Sequence, residues 1–488
     1  MNLFSIFEKS AQSWPDDTAL VQDGHALTYR EMLVSIQRIA GELTRIGVQP
    51  GEKVCIAFPR CIEYVLSCLA VLRLDAVAVP ISSALKRDEI ASLTADTEVD
   101  AFCYASSLRD TVPVGDENRR LSLVPFPKST MAIELKPSAG PASTFPMRQR
   151  LKHINAAYIC FSSGTTAKSK GIVLSHEALY ERATRRLDVP PVARDTSILW
   201  LRALDRFVPN QFTAAFCVGG KVVIGNSFDF DQLPRLICDY AINQIWAPPP
   251  YYRALLHAPI VQNALAPIRQ FLSSGAALPA NVANAFHDKF GKDIMQNYGS
   301  AECAPIFINA SGNPAKRASV GIPVEGREVK LVPPGAEIEI DAAEGELLVR
   351  GDGMLHAYYK PWRSREEIFD HGWLHTGDLA RRDADGYYWI VGRIKETINI
   401  GGANVFPSEI EEILLSHPDV EDCLVYGVAD DRHGEVPNAK VKLRSGHVCR
   451  EKDLLLFVND RLSVFKALRK ITLTDKIEKT VTGKSKRW

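Results

Sequence analysis

The sequence predicts an α/β protein with a large N-terminal domain of layered α/β subdomains plus a small β-barrel-like part over 1–393. A small α+β domain follows over 394–488. Three observations predict this. Short apolar β-type runs alternate with helix-period patterns up to about residue 330, the mark of layered α/β architecture with a mostly parallel sheet. From there to 393 the pattern becomes short β segments divided by glycine turns. Beyond 394, strands and helices alternate on a smaller scale. At 488 residues the chain is too long for one compact core.

The elements follow in order. Thr28-x-x-Glu31 fits a capping box, and Leu33, Ile36, Ile39, Leu43 and Ile46 recur at helical spacing before a stop at Gly47. Residues 51–58 read as a strand, 62–74 as a buried helix and 76–80 as another strand. Residues 106–150 are polar and proline-containing, so a loosely structured connection is expected. Tyr158 to Phe161 form a short buried strand, and a second apolar run spans 172–174. Strands are expected at 221–224, 244–247, 269–273 and 293–297. In such sheets ligands bind outside the carboxyl ends of the strands. The loops SSGTT, WAPPP, SSGAALP and NYGSAE therefore converge on one crevice. Short β segments follow at 346–350, 373–375 and 387–391. In the last part, Ser408-x-x-Glu411 fits a second capping box. Residues 422–428 read as a strand, 452–462 as a helix and 471–473 as a strand, before an exposed basic tail.

Composition narrows the function. Lys and Arg total 58 and balance 58 Asp and Glu, so there is no basic footprint for nucleic acid. No apolar run reaches membrane-spanning length. The N-terminus lacks the basic start, apolar run and cleavage site of a signal peptide. The ten cysteines are scattered without a CxxC pair and read as reduced core thiols of a cytoplasmic protein.

The stretch 158–176, YICFSSGTTAKSKGIVLSH, places a small, hydroxylated, basic loop after a strand. Such a loop turns backbone N–H groups and hydroxyls toward phosphate oxygens, and lysine adds charge. It lacks Walker A spacing. Taken alone it is equally an ordinary Ser/Thr/Gly turn. Four further constellations accompany it: QNYGSAE at 296–302, WLHTGD at 373–378, GRIKE with Gly401-Gly402, and Thr482-Gly483-Lys484. Each has an ordinary alternative: a buried tyrosine with a surface glutamate, a capped turn, a glycine turn, a solvated lysine. Together, and in this order, they resemble the motifs of the adenylate-forming superfamily of AMP-dependent synthetases and ligases. That superfamily includes acyl-CoA synthetases, adenylation enzymes and firefly luciferase. The resemblance spans essentially the whole chain. Ala167 and Ser169 depart from the glycine and proline common in the phosphate loop, and Glu478 stands near where proline is common.

The resemblance implies a role for each residue. Ser162, Ser163, Gly164, Thr165, Thr166 and Lys170 would hold the phosphates, with Thr166 also catalytic. Ser274, Gly275 and Ala276 would line the adenine side. Asn297, Tyr298, Gly299 and Ser300 would hold the base, with Tyr298 stacked on it. Glu302 would be catalytic and would hold Mg²⁺, a hard cation that takes carboxylate oxygen. Asp378 would accept the ribose hydroxyls, with Ile390 beside it and Arg393 reaching ribose and phosphate. Lys395 would be the hinge of a mobile C-terminal domain. Gly401 and Gly402 would let a pantetheine arm pass close to the backbone, and Lys484 would reach the carboxylate and α-phosphate.

The implied reaction activates a carboxylic acid with ATP to acyl-AMP and then transfers the acyl group to a thiol, most often coenzyme A. A stand-alone adenylation enzyme loading the phosphopantetheine of an acyl- or peptidyl-carrier protein is the alternative acceptor scheme. A non-catalytic nucleotide-binding protein and a luciferase-like oxidase are further readings, and the motifs Glu302, Asp378 and Lys484 argue against the former. The acyl pocket is expected among Trp200, Asp205, Phe207, Phe212, Trp246, Tyr251, Ala277, Ala301 and Cys303. Such a lining favours an aryl or short-to-medium acyl carboxylate. Asp205 reads either as a partner for a substrate amine or as an ion pair with a neighbouring arginine. The expected partners are a small-molecule carboxylate and, under the alternative acceptor scheme, a carrier protein, with no nucleic acid and no membrane span. A monomer or homodimer is expected.

Overall fold

The computed structural model describes residues 2–113, 119–123, 133–136, 145–161, 170–184, 191–202, 204, 208–226, 228–400, 403–430 and 432–478. Two nine-stranded sheets form the body of the N-terminal domain. In the first, Lys53–Phe58, Val77–Ser82 and Ala101–Ala105 run parallel. Their near-continuous apolar runs are buried on both faces, as parallel strands between helices require. The same sheet holds the antiparallel pair Ala156–Phe161 and Gly171–Ser175, in register as Cys160↔Ile172 and Phe161↔Gly171.

In the second sheet Lys221–Ile224, Ser197–Trp200, Gln244–Ala247, Gln270–Ser274 and Ile294–Ser300 lie side by side and parallel. Strand periodicity sends alternate side chains to opposite faces. Trp200, Trp246 and Leu272 enter the central core shared with the first sheet. Leu199, Ile245 and Phe271 meet the helices Leu233–Tyr240, Pro249–His257 and Ala280–Phe290 on the other side. The carboxyl ends of these adjacent strands deliver the loops after 247 and 274 and the turn after 300 to one edge, as expected.

The helix Tyr29–Arg45 starts on the predicted capping box. The Thr28 hydroxyl accepts from the Glu31 N–H at 3.2 Å, and the Glu31 carboxylate accepts from the Thr28 N–H at 2.9 Å. Met32, Ile36, Ile39 and Leu43 face the core.

Two expectations are corrected. The 106–150 connection is not loose where it is described. Arg119–Leu123 and Ile133–Lys136 extend the first sheet, and Phe145–His153 is a helix. Second, Ser408 caps nothing. The helix Pro407–Leu415 begins one residue earlier, because Pro407 fits its first position. The Ser408 hydroxyl instead donates to the Val391 carbonyl at 2.6 Å, and the Glu411 carboxylate accepts from the Val425 N–H at 2.9 Å.

The strands Arg327–Val332, Glu344–Gly351, Leu374–Arg382 and Tyr388–Arg393 form a four-stranded antiparallel sheet after the second large sheet. Beyond it, Ile398–Ile400, Ala403–Val405, Val420–Asp430, Gly434–Leu443 and Lys470–Leu473 make a five-stranded sheet. With the helices Pro407–Leu415 and Glu451–Asn459 it closes a separate core of Val405, Ile410, Leu414, Val425, Val441, Leu454 and Val458. Arg253 donates to the Glu421 carbonyl at 2.7 Å, and Asn281 donates to the Leu415 carbonyl at 3.4 Å, joining this unit to the N-terminal domain. No helix among the described residues is long and apolar enough to cross a membrane, and none of the ten cysteines forms a disulfide.

Candidate active site

The turn after Ile294–Ser300 is shaped by Gly299. A Cβ there would sit 2.0 Å from the Ala304 carbonyl oxygen, so the antiparallel return to Ala304–Asn309 needs glycine. The register shift between Tyr298 and Gly299 turns Tyr298 toward the four-stranded sheet. Opposite it, a bulge lies in Leu374–Arg382, where Glu346 pairs with Leu379 but Leu348 with His375. Gly377 occupies this bulge at φ +71°. The Thr376 hydroxyl donates to the Leu347 carbonyl at 2.7 Å, and the Gly377 N–H donates to the Glu346 carboxylate at 3.1 Å. The bulge buries Asp378, which is 5% exposed.

Asp378 gathers the site. The Tyr298 hydroxyl donates to Asp378 Oδ2, and Arg393 Nε pairs with Asp378 Oδ1 at 2.8 Å. Asp378 and Arg393 are also register partners between adjacent strands. Burial, then the neighbouring carboxylate, raises the Tyr298 phenol well above its ordinary value, so it stays a donor. Burial works against the charged Arg393 guanidinium, but the Asp378 carboxylate, with Tyr298 and Glu396 beside it, outweighs burial and holds it above its ordinary value.

A second polar group lies four residues further along the chain. Tyr358 donates to Glu302 Oε1 at 3.4 Å, and Lys170 Nζ stands 4.8 Å from the Tyr358 ring centroid. The backbone under Glu302 is fixed by Arg182. That side chain is 4% exposed and donates to the carbonyls of Gly353 at 2.6 Å, Ala301 at 3.1 Å and Glu302 at 3.0 Å. Burial lowers the Arg182 guanidinium to about 10. On the third side, the Arg202 guanidinium donates to Ser274 Oγ and covers Gly275, where a Cβ would meet Arg202 Nη2 at 2.6 Å.

A cavity of about 520 Å³ opens beside Asn297. Trp246, Ile198, Gln211, Gln244, Ala214, Pro305, Ile308 and Ile322 are among the residues that line it. Its lining is mostly apolar.

The structure thus brings together Tyr298, Asp378 and Arg393, with Ile390 on the same strand as Arg393. It brings Lys170 and Glu302 to the two sides of Tyr358. Asn297 and Trp246 line the cavity, whereas Gly275, Ala276 and Ala277 form the exposed loop below Arg202. Ser300 and Ala301 are half-buried in the turn, and Cys303 is fully buried against the Ser300 hydroxyl at 3.1 Å. Trp200 and Phe212 are fully buried and pack edge to face at 5.2 Å, behind the cavity wall. Tyr251 falls elsewhere. It packs among Phe228, Phe230 and Tyr252 with the helices on the far face of the sheet, because Ile245 and Trp246 point to opposite sides. Lys395 is exposed in the turn Ile394–Glu396 directly after the Arg393 strand. Ser162, Ser163, Gly164, Thr165, Thr166, Asp205, Phe207, Gly401, Gly402 and Lys484 lie outside the described residues.

Sequence reasoning missed Arg182, Tyr358 and Gln211. For Arg182 there was a signal, a guanidinium on the Ala178–Leu179–Ala183 face of a helix that buries itself.

The site thus joins a buried acidic acceptor, flanked by tyrosine and arginine, to an apolar cavity in a large domain followed by a smaller unit. The chain belongs to the AMP-binding enzyme family: the family's model matches 7–359, and the model of its C-terminal domain matches 409–484. It is 30% identical over 503 residues to 4-coumarate–CoA ligase-like 9 of Oryza sativa subsp. japonica, covering 97% of this chain and 89% of that one. It is 29% identical to a feruloyl-CoA synthase of Amycolatopsis sp, covering 98% and 96%. Among solved structures, ATP-bound MatB from Rhodopseudomonas palustris superposes with a TM-score of 0.85 at 24% identity, covering 99% and 97%. The anthranilate CoA ligase AuaEII with anthranoyl-AMP superposes at 0.83 and 24%, covering 100% and 96%. These two likenesses establish the shared fold.

Proposed function

We infer that this chain is an AMP-forming acid–CoA ligase acting on an aryl or short-to-medium acyl carboxylate. The single observation carrying the reading is the bonded group Tyr298–Asp378–Arg393, assembled from three separate stretches beside the cavity. In the first half-reaction a carboxylate oxygen bonds to the α-phosphorus of ATP. The bond from that phosphorus to the bridging oxygen breaks, and pyrophosphate leaves. In the second, a thiol sulfur bonds to the acyl carbon and loses its proton, and AMP departs with the C–O electrons. The relatives spanning nearly the whole chain carry coenzyme A in their names, which supports that thiol over a carrier protein.

Two anions meet in the first step, so charge must be screened. Asp378 takes the ribose hydroxyls, with Tyr298 beside the base and Arg393 near the sugar. The loop 162–166, Lys170 and Lys484 supply donors and positive charge to the phosphates. Removing one such preorganised donor costs about 3 kcal/mol of barrier. Glu302 fits a magnesium ligand. It is a hard oxygen donor in a half-buried turn, held by Arg182 from beneath and met at its carboxylate by the neutral Tyr358 hydroxyl. Bound there with the phosphates, Mg²⁺ would supply charge neutralisation. Lys395 is the proposed hinge and Gly401–Gly402 the thiol passage. The domain boundary proposed at 393/394 follows the end of the Tyr388–Arg393 strand.

The test is carboxylate-dependent release of pyrophosphate with ATP and Mg²⁺, over a panel of aryl, aliphatic and amino acids, with and without coenzyme A. Turnover that depends on coenzyme A is expected. Release from no acid, under any acceptor, overturns the ligase reading.

A further inference from the structure

The smaller unit carries a polar group that the ligase reading does not use. Two turns meet at one end of its sheet. One, over 416–419, joins the helix Pro407–Leu415 to the strand Val420–Asp430. The other, over 444–450, joins the strand Gly434–Leu443 to the helix Glu451–Asn459. Val420 and Leu443 are register partners, so the two turns start side by side, and the Arg444 N–H donates to the Asp419 carbonyl at 2.9 Å. Each turn holds two ligating residue types with one residue between them: His417-x-Asp419 and His447-x-Cys449. Among the described residues, His417, Asp419 and Cys449 are half-buried and bring one ligand atom each within 4.8 Å of one another. The Asp419 N–H donates to His417 Nδ1 at 3.2 Å, so that nitrogen presents a lone pair on the side of the group. The same nitrogen lies 3.9 Å from Asp419 Oδ2, and the ring is set edge to face on Phe457 at 4.6 Å. His447 Nδ1 meets the other carboxylate oxygen, Asp419 Oδ1, at 2.7 Å. The nearby guanidinium groups are turned to other acceptors, Arg444 to the Pro418 carbonyl at 2.8 Å and Arg450 to Asp453 at 2.8 Å.

We propose that these two turns form a site for a zinc-class divalent cation, with His417, Asp419 and Cys449 as its protein ligands and a fourth position left to water or His447. The proposal stands apart from the ligase reading. Imidazole, carboxylate and thiolate together are a zinc donor set, with bonds of about 2.0–2.2 Å to nitrogen and oxygen and about 2.3 Å to sulfur. Tetrahedral ligands at those lengths lie roughly 3.3–3.8 Å from one another, so side-chain movement of about 1 Å closes the group on an ion. The sulfur disfavours Mg²⁺ and Ca²⁺, which take oxygen shells, and so separates this site from the magnesium ligand proposed at Glu302. On binding, the Cys449 sulfur bonds to the metal and its proton passes to solvent. The bound ion clips the two turns together. The Leu415 and Glu421 carbonyls, which receive Asn281 and Arg253 of the N-terminal domain, flank the His417–Asp419 turn, so the clip braces the edge of the smaller unit that meets its neighbour.

The experiment strips the full-length protein with a chelator, then titrates it with Zn²⁺ by calorimetry under excess Mg²⁺ and with Co²⁺ by absorbance. One saturable zinc per chain is expected, with proton release, and cobalt should give a thiolate charge-transfer band in the near ultraviolet. Cys449→Ser should abolish that band and weaken zinc by roughly tenfold or more. His417→Gln should weaken zinc to a similar degree while the band remains, because the sulfur is still bound. Cys238→Ser, at an exposed thiol elsewhere in the chain, should change neither. If His417→Gln does not fold once its ring leaves Phe457, Asp419→Asn carries the same reading. No saturable zinc binding in the natural sequence overturns the site. So does a zinc affinity or a cobalt band that survives in Cys449→Ser, which would mark adventitious binding at other side chains. Pyrophosphate release is not the readout, so either result leaves the ligase reading to its own test.

Discussion

The two ends of the site are built on opposite plans. At the proposed nucleotide end, polar groups meet one another: the Tyr298 hydroxyl and the Arg393 guanidinium both meet the buried Asp378 carboxylate. At the proposed acyl end the wall is mostly apolar, formed by residues such as Ile198, Ala214, Trp246 and Ile308. A network complete in itself is preorganised for a partner whose chemistry never changes. An apolar wall recognises its occupant by shape and area, and so tolerates more variation in it. The constant and variable halves of the proposed substrate pair are thus met by different physics.

This contrast is open to attack from its strongest point downward. Lys484→Ala should lower acyl-adenylate formation by roughly 10²- to 10³-fold, while thioester formation from supplied acyl-AMP persists. Equal loss in both half-reactions would remove Lys484 from the first. Asp378→Ala strips two groups of their common acceptor, and the KM for ATP should rise roughly 10- to 100-fold. An unchanged value would dissolve the nucleotide end altogether. Tyr298→Phe removes a single hydrogen bond to a charged group, about 1.5 kcal/mol, and should raise the KM for ATP about tenfold by the same factor for every acid. An effect that varied with the acid would mean the two ends are not separate. Far from both, Thr28→Ala loses the helix cap, about 1 kcal/mol of stability in a denaturant titration, without moving either KM. A change in either constant would show that the scaffold and the site are coupled through the helix Tyr29–Arg45.

The same contrast decides what could be read from the chain. Tyr298, Asp378 and Arg393 sit in short contiguous motifs whose neighbours shape them locally, Gly299 and Gly377 above all, so they are legible. The cavity is walled by segments from 181 to 387, and no local pattern announces a lining residue such as Gln211. Tyr251 misled for a related reason. Its neighbourhood in sequence is that of Trp246, but strand alternation and the helix that follows send it to the other face. The 106–150 region looked loose because Arg119–Leu123 is short and polar. Arg119 is there an ion-pair partner of Glu52 at 2.9 Å, while Leu121 and Leu123 are fully buried. Ser408 satisfied the capping pattern, yet Pro407 set the helix start ahead of it.

The hydrogen bonds from Arg253 to the Glu421 carbonyl and from Asn281 to the Leu415 carbonyl cross between the two units away from the Tyr298–Asp378–Arg393 group. Any rotation of the smaller unit between half-reactions must break both. The share of molecules held in this orientation therefore depends in part on the surface they cross, together with the Ser408–Val391 hydrogen bond beside the Arg393 strand. Changes there would alter the tempo of the cycle, and leave its choice of acid as it was.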